Sequence, residues 1–381
     1  MLIKKKEIAL LLIFLSLVVT NLFAENYYFK RYDKENGLSQ QTVFCAVQDR
    51  RGFLWFGTKV GLNRFDGTKF KNYVADPEQP NSLPNNTVLA LAEAPDGSLW
   101  LGTSDGLCIY NPEKDTFAPF VSADLTIEGL IDNLVFDKQG NLWVINSKGI
   151  YCLDVKNGNH KFFSASDFFV PTGITVTQSG SVWVLGLDGN IYLFNPQRME
   201  FSFYPILTKE EKTKHILLYR ILECSNGDLV VTTDRIGARR FSPNNGEVKV
   251  LFSNDSQNNP IYIHTAIQRN KDEFWFGTES GIHIYQLDLG FIDHLQKSYN
   301  DAYSLSDNAV HMLLKDREEG IWVGTFFGGV NYLSNNNTLF DKYLPKDEKG
   351  SIKANVIREI HPDVEGNLWV GTEDGGLCYF D

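Results

Sequence analysis

One segment of the chain reads Gly97-Ser98-Leu99-Trp100-Leu101-Gly102-Thr103, continues through Ser104-Asp105-Gly106-Leu107, and ends at Asn111. Variants of this segment recur through the chain after its N-terminal segment, and tryptophan marks their spacing. The seven tryptophans are Trp55, Trp100, Trp143, Trp183, Trp275, Trp322 and Trp369, separated by 45, 43, 40, 92, 47 and 47 residues. The gap of 92 is a double step, because Val230 replaces Trp in the fifth copy. Eight units of about 45 residues have the period of a propeller blade.

Each unit predicts four strands. An apolar run such as Val88 to Ala92 forms the inner strand, and a turn rich in Gly and Asp follows it. The Leu-Trp-Val-Gly-Thr motif is the second strand, the Gly-Leu segment is the third, and a looser aromatic segment such as 69–73 is the outer strand. No stretch after the N-terminal segment shows a capped helical period. The predicted fold class is therefore all-β, a β-propeller of four-stranded blades.

The tryptophans are interpreted as core residues. A wide, flat side chain fills the wedge between radiating sheets and buries a large area. In five of the seven units a Gly stands two residues after the Trp, and it allows a neighbouring backbone to approach. All seven tryptophans are therefore expected to be buried between blades, and none is assigned to a cofactor or a sugar.

The number of blades is left open between two arrangements. The segment 27–32 resembles an outer strand that stands before the first inner strand. It could complete the eighth unit and close an eight-bladed ring, or it could close the seventh blade while 339–343 opens a second propeller. The predicted organisation is a signal peptide at 1–24, a propeller of seven units at 25–338, and an eighth unit at 339–381.

The N-terminus predicts export. Three lysines, Lys4 to Lys6, precede an apolar run from Ile8 to Val19, and Ala24 offers a cleavage point before Glu25. Leu22 is large for the position it would occupy before that cut, so an uncleaved anchor is the alternative. The predicted location is periplasmic, with membrane contact only through this segment.

Several function classes are disfavoured by the composition. A net charge of −11 argues against a nucleic-acid surface. The five cysteines are widely spaced and form no CxxC pair, so they are interpreted as small buried residues. The seven histidines make no HExxH pair, and no GxSxG elbow or phosphate-binding loop occurs. We therefore predict no catalytic residue, no metal site and no cofactor.

Candidate ligand-binding residues are expected in loops at one face of the ring. An Arg or Lys could hold a carboxylate or sulfate, aromatic rings could stack on a sugar, and amides could bond hydroxyls. The alternative is that the cations are solvated, the phenylalanines plug the ring, and the amides serve turns. The candidates are Lys59, Arg235, Phe326 and Phe327 in the turns after Gly-Thr, and Asn85, Asn86, Tyr262 and His264 in the loops entering inner strands.

The segments Gly52-Phe53-Leu54-Trp55-Phe56-Gly57-Thr58, Gly61 to Gly67 and Asn141-Leu142-Trp143-Val144 resemble the two-component regulator propeller repeat. The resemblance covers essentially the whole chain after the signal segment. Family sensors are expected to carry two seven-bladed propellers, a β-sandwich, a membrane helix and cytoplasmic signalling parts. The sequence contains the signal, seven units and one more, as in a fragment, a truncated gene or a stand-alone relative. The resemblance favours seven blades and the start of a second ring.

The resemblance implies a periplasmic sensor that binds an oligosaccharide without catalysis, with a homodimer or a partner sensor protein as its assembly. Two alternatives stay open. The first is a propeller enzyme, a lyase or glycan-processing hydrolase, because streptogramin-type lyases use related Trp-bearing repeats. His264 and Glu279 are the pair to test for that activity. The second is a module that binds another protein on a flat face.

Overall fold

The computed structural model describes residues 27–122, 125–165, 169–335, 343, 345, 351–354 and 356–380. The predicted signal peptide, residues 1–24, lies outside the described residues, as does most of the predicted outer strand at 339–343. Antiparallel four-stranded sheets follow one another along the chain. The fold is the predicted all-β propeller.

The N-terminal strand is β1 (Lys30–Tyr32), and each of the next six sheets uses four consecutive strands. They are β2 (Val43–Gln48), β3 (Leu54–Thr58), β4 (Leu62–Phe65), β5 (Phe70–Tyr73); β6 (Val88–Glu93), β7 (Leu99–Thr103), β8 (Gly106–Asn111), β9 (Thr116–Pro119); β10 (Asn133–Phe136), β11 (Asn141–Asn146), β12 (Gly149–Asp154), β13 (His160–Ser164); β14 (Pro171–Val176), β15 (Val182–Gly186), β16 (Asn190–Asn195), β17 (Glu200–Pro205); β18 (Leu218–Glu223), β19 (Leu229–Thr233), β20 (Ala238–Ser242), β21 (Glu247–Phe252); and β22 (Ile263–Gln268), β23 (Glu273–Thr278), β24 (Gly281–Gln286), β25 (Gly290–Leu295).

The seventh sheet closes the ring with a strand from the other end of the chain. It contains β26 (Val310–Lys315), β27 (Ile321–Thr325) and β28 (Val330–Leu333), and β1 pairs with β28 as the outer strand. The Arg31 guanidinium holds β1 in place by donating to the carbonyls of Asp301 and Ser304. The inner strands β26 and β2 lie side by side, as do those of all consecutive blades. The N-terminal strand therefore completes the seventh blade and not the eighth.

The eighth repeat forms a separate three-stranded sheet of β29 (Ile357–Pro362), β30 (Leu368–Thr372) and β31 (Leu377–Phe380). Its strands have the order and register of a blade, with Trp369 opposite Tyr379. Trp369 is nevertheless 40% exposed. The expectation that all seven tryptophans are core residues is wrong for this one, because no neighbouring blade covers it among the described residues.

The six tryptophans of the ring are buried, with at most 5% of their surface exposed. In three repeats the first Asp of the turn explains how the polar edge of the indole is accommodated. Asp49 caps the turn by accepting the backbone N–H of Phe53, and its other oxygen accepts the indole N–H of Trp55 at 2.9 Å. Asp137 and Asp316 bind their tryptophans in the same way. These turns therefore serve the core as well as the hairpin.

In four ring repeats a Gly stands two residues after the Trp and lies where the next blade approaches, as the sequence predicts; these are Gly57, Gly102, Gly277 and Gly324. A Cβ on Gly57 would lie 2.8 Å from the carbonyl oxygen of Val88 in the second blade. A Cβ on Gly324 would lie 3.0 Å from Cβ of Val43, across the junction between the seventh and first blades. Larger side chains at these positions would push neighbouring blades apart.

One short helix was not expected from the sequence. Helix α1 (Lys209–Thr213) begins at a capping box in which Thr208 and Glu211 bond each other's backbone N–H groups. Its Glu211 also accepts a hydrogen bond from Arg239 at 2.7 Å. The Thr-x-x-Glu pattern was visible in the sequence, but the helix is only five residues long and shows no helical period.

The five cysteines are free thiols. Cys108, Cys224 and Cys378 are buried, while Cys45 and Cys152 are half-buried, which agrees with their interpretation as small apolar residues. Within the described ranges, none of the helical structure has the length and apolarity that crossing a membrane requires.

Candidate functional site

A cavity of about 290 Å³ opens on the central axis of the ring. Its volume lies near the lower end of the range for small-molecule sites. Every one of the seven inner strands contributes to it, either directly or through the residue just before the strand. The lining residues are Phe44, Leu89, Leu130, Asp132, Asn133, Thr172, Tyr219, Arg220, His264 and His311.

A β-bulge turns one side chain of most inner strands towards this cavity. In β2, for example, the pairing with β3 shifts between Val43 and Cys45, so that Phe44 has no partner in the ladder. Such a bulge adds an unpaired residue and re-aims its side chain. The same shift occurs in five other inner strands of the ring and leaves out Leu89, Thr172, Tyr219, His264 and His311. Six blades thus present one side chain each to the cavity by the same device.

The residue that each blade presents to the cavity has a fixed place in the repeat, which we call the cavity position. Each bulged residue lies eleven residues before the Trp of its unit, or before Val230 in the fifth unit. The third unit has Asp132 at this position and lines the cavity without a bulge in β10. The side chains at this position are aromatic, aliphatic, acidic, hydroxyl-bearing or imidazole groups, so the scaffold does not dictate their chemistry.

Arg220 places a positively charged side chain in the lining of the cavity. Its guanidinium extends from the fifth blade and donates to the carbonyl of His264 at 3.1 Å and to Oδ1 of Asn133 at 3.4 Å. These two contacts use two of the five N–H donors of a guanidinium. An anionic group inside the cavity would therefore face a positive charge that the protein already holds in position.

Two histidines and one glutamate meet at one side of the cavity. The imidazole rings of His264 and His311 are stacked, with centroids 4.2 Å apart and planes 13° from parallel. Glu279, in the turn after β23, lies with Oε1 2.5 Å from Nε2 of His264 and 3.9 Å from Nε2 of His311. Nδ1 of His264 is buried and has no hydrogen-bond partner among the residues that the structure describes. The sixth and seventh blades thus place three potential metal-binding or proton-transferring atoms together.

Burial lowers the pKa of His311 to about 4, and the neighbouring His264 acts in the same direction. A histidine with this pKa is neutral at pH 7, so its ring carries one nitrogen lone pair. The ring of Phe326 also lies against this imidazole, with centroids 5.2 Å apart. The environment of His311 therefore favours a neutral imidazole at the cavity wall.

The predicted cationic candidates lie on the rim and differ in their partners. Lys59 is exposed in the turn after β3. Arg235 is engaged by the adjacent Asp234, whose Oδ2 accepts from its Nε at 3.0 Å and its Nη2 at 2.8 Å. Arg235 therefore already has a carboxylate, and Arg220 is the arginine that faces the cavity.

Of the predicted aromatic and amide candidates, one lies at the cavity and the others are exposed or stabilise loops. Phe326 contacts His311 at the cavity, while Phe327 is 69% exposed beside it. Tyr262 is 48% exposed. Asn85 accepts from the backbone of Thr87 and Asn86 accepts from that of Ala75, so both amides stabilise loops.

Nine lining residues are not among the candidates predicted from the sequence, namely Phe44, Leu89, Leu130, Asp132, Asn133, Thr172, Tyr219, Arg220 and His311. Most of them lie inside inner strands, whereas ligand-binding residues were expected in loops. The constant offset of eleven residues from each Trp was an available signal. His264 was selected because it lies at the start of its strand.

A larger groove of about 540 Å³ lies away from the axis, on the outer side of the first two blades. Its central carboxylate, Asp115, already accepts hydrogen bonds from Lys71, Tyr73 and Tyr110. The axial cavity is smaller, but it contains an unpartnered buried nitrogen and side chains from every blade. We therefore regard the axial cavity as the candidate site.

These features define a seven-bladed β-propeller with a polar and aromatic cavity on its axis. The two-component regulator propeller model matches residues 37–59, 82–105 and 304–327. Three segments of the chain therefore carry the two-component regulator propeller repeat. Histidine kinase P4 of Formosa agariphila is 49% identical to it over 53 residues, which is 14% of this chain and 4% of that protein.

The fold is also similar to solved structures. The extracellular domain of the hybrid two-component system BT3049 from B. thetaiotaomicron has a TM-score of 0.72 and 26% identity, over 93% of this chain and 48% of that one. A streptogramin B lyase has a TM-score of 0.62 and 15% identity, over 81% of this chain and 98% of that one, and this likeness concerns the fold alone. The chain spans about half the length of the BT3049 domain.

Proposed function

We propose that this chain is the extracytoplasmic ligand-sensing propeller of a hybrid two-component signalling protein, and that it binds an oligosaccharide in the axial cavity. The observation that carries the proposal is the shared cavity position, at which the seven blades present six different kinds of side chain. A rigid ring with a variable lining suits recognition of a small molecule. The resemblance to extracellular domains of hybrid two-component systems supports the signalling context.

The chemistry of the lining favours a sugar that carries an acidic group. Phe44 and Tyr219 offer aromatic surfaces, and Asn133 and Thr172 offer groups that hydrogen-bond hydroxyls. Arg220 supplies the donors that pair with a carboxylate or sulfate. Binding occurs without conversion of the sugar, and the bound state is read by further parts of the signalling protein or by a partner sensor.

The test is calorimetric titration of the protein with acidic and neutral oligosaccharides, followed by chromatography of each mixture. We expect saturable heat with an acidic sugar that is recovered intact. Arg220→Gln should weaken its binding by about tenfold or more, since one charge-assisted contact contributes about 1.5–3 kcal/mol.

The matched control is Arg235→Gln, because Arg235 lies on the rim and is paired with Asp234. It should leave the affinity unchanged. Absence of binding to every sugar by a folded protein, or equal losses in both variants, would contradict the proposal.

A second candidate function is that of a propeller enzyme. It is favoured by one observation, the contact between His264 and Glu279, which could serve as a general acid–base pair. Chromatography of the same mixtures distinguishes the two functions, because an enzyme would consume the sugar. Loss of product formation in Glu279→Gln would then assign the activity to this pair.

A further inference from the structure

The strongest unassigned feature is the cluster of His264, Glu279 and His311. Each residue offers one ligand atom, and the three atoms lie within 4.8 Å of one another. Two imidazole nitrogens and one carboxylate oxygen are a ligand set that zinc accepts, usually with a fourth position left for water or substrate. Histidine and carboxylate together also suit other divalent transition metals, whereas magnesium and calcium prefer oxygen ligands.

The distances fit a metal ion after a small adjustment. Zinc bonds of about 2.0–2.1 Å in a tetrahedron separate neighbouring ligand atoms by roughly 3.3 Å. The separations from Glu279 Oε1 to the two Nε2 atoms, 2.5 and 3.9 Å, lie on either side of that value. The side chain of Glu279 is 53% exposed, so it can move without disturbing the core. An ion between the three atoms would relax the short contact and shorten the long one.

The fold does not require these residue types. At the cavity position of the repeat, the first, second and fourth blades carry Phe44, Leu89 and Thr172. Histidine occupies it only in the sixth and seventh blades, next to each other, and Glu279 belongs to the same blade as His264. Among the described residues, the buried Nδ1 of His264 has no partner, and the hydrogen bonding of this ring is confined to the contact of Nε2 with Glu279.

From this geometry we infer that His264, Glu279 and His311 bind a zinc ion whose open coordination position faces the axial cavity. The guanidinium of Arg220, which bonds the carbonyl of His264, opposes a bare cation and attracts an anion to the same space. The fourth ligand is accordingly water, hydroxide or an anionic group of a molecule in the cavity. The metal site does not depend on that molecule being a sugar.

The experiment is calorimetric titration of the chelator-treated full chain with zinc chloride, repeated with magnesium and calcium chlorides. We expect one zinc per chain and no comparable binding of the other two ions. Cobalt(II) should bind at the same site and produce the visible absorption of a tetrahedral complex. Failure of the folded wild-type protein to bind zinc, or equal binding of magnesium or calcium, would overturn the inference.

Variants locate the ion. Glu279→Gln and His311→Ala should each lower zinc affinity at least about 100-fold, the upper end of what even outer-shell changes cost. His294→Ala is the control, because His294 stacks on His283 in the same blade but outside the cluster. It should retain wild-type affinity. Zinc binding that survives both cluster variants, or is lost equally in the control, would assign the ion to other residues.

Discussion

The seventh and eighth repeats contain nearly the same pentapeptide in very different surroundings. In β27 the sequence Ile-Trp-Val-Gly-Thr is buried at all five positions, and Trp322 is 3% exposed. In β30 the sequence Leu-Trp-Val-Gly-Thr is buried only at Val370, and Trp369 is 40% exposed. Both strands pair on both sides with strands of their own sheet.

The difference lies in the neighbouring blade. Trp322 packs against Phe56 and Phe65 of the first blade, with ring centroids 5.5 and 5.6 Å away. A Cβ on Gly371 would meet only the carbonyl oxygen of Glu359 in its own sheet, at 3.7 Å, whereas Gly324 faces Val43 of the first blade. The repeat motif thus specifies strands, turns and register, while burial comes from the adjacent sheet.

Replacing the two tryptophans should give the largest contrast. Trp322→Ala should lower the free energy of unfolding by about 3–5 kcal/mol, since it opens a cavity between two blades. Trp369→Ala should cost about 0.5 kcal/mol or less, because its ring is already accessible to water. Denaturant unfolding of both variants measures the contrast, and equal losses would show that the eighth sheet is covered in solution.

Replacing the turn aspartates should give a smaller contrast in the same direction. Asp316→Ala should cost about 2–3 kcal/mol, because it leaves the buried indole N–H of Trp322 and the N–H of Gly320 without an acceptor. Asp363 accepts instead from the side chains of the half-buried Asn367 and the exposed Tyr379, so Asp363→Ala should cost less than about 1 kcal/mol. Denaturant unfolding again provides the measurement.

The repeat of Trp100 lacks the turn aspartate, so the role of this aspartate can also be tested by introducing it there. Ala94 occupies the Asp position of its repeat, and the indole N–H of Trp100 is buried without a partner. Ala94→Asp should therefore raise the free energy of unfolding by about 1 kcal/mol. A loss of stability would contradict the role given to Asp49, Asp137 and Asp316.

The fold could be predicted because the spacing of the repeated motif is visible in the sequence. Tryptophan spacing, turn glycines and the Gly-Thr motif each report local strand and turn formation, and every unit except the fifth carries at least two of these three signals. Ring closure could not be decided in this way, because 27–32 resembles an outer strand for either the seventh or the eighth blade. The choice depends on contacts such as those of Arg31 with Asp301 and Ser304, which are far apart in sequence.

The candidate site was less accessible to sequence reasoning. Phe44 and Leu89 look like ordinary members of apolar strands, and only a bulge turns them towards the axis. Arg235 was predicted as the ligand-binding cation because it breaks the repeat pattern. In the structure it forms an ion pair with the adjacent Asp234. His311 comes next to His264 only when consecutive blades pack, which no local pattern reveals.

The central claim is that seven repeats form one closed unit around the axial cavity and that the eighth is not part of it. Amide hydrogen exchange under native conditions tests this most directly, because β27 and β30 are hydrogen-bonded alike but packed differently. We predict that the amides of Trp322 and Val323 exchange only through global unfolding, while those of Trp369 and Val370 exchange through local opening. Equal protection in the two strands would contradict the claim.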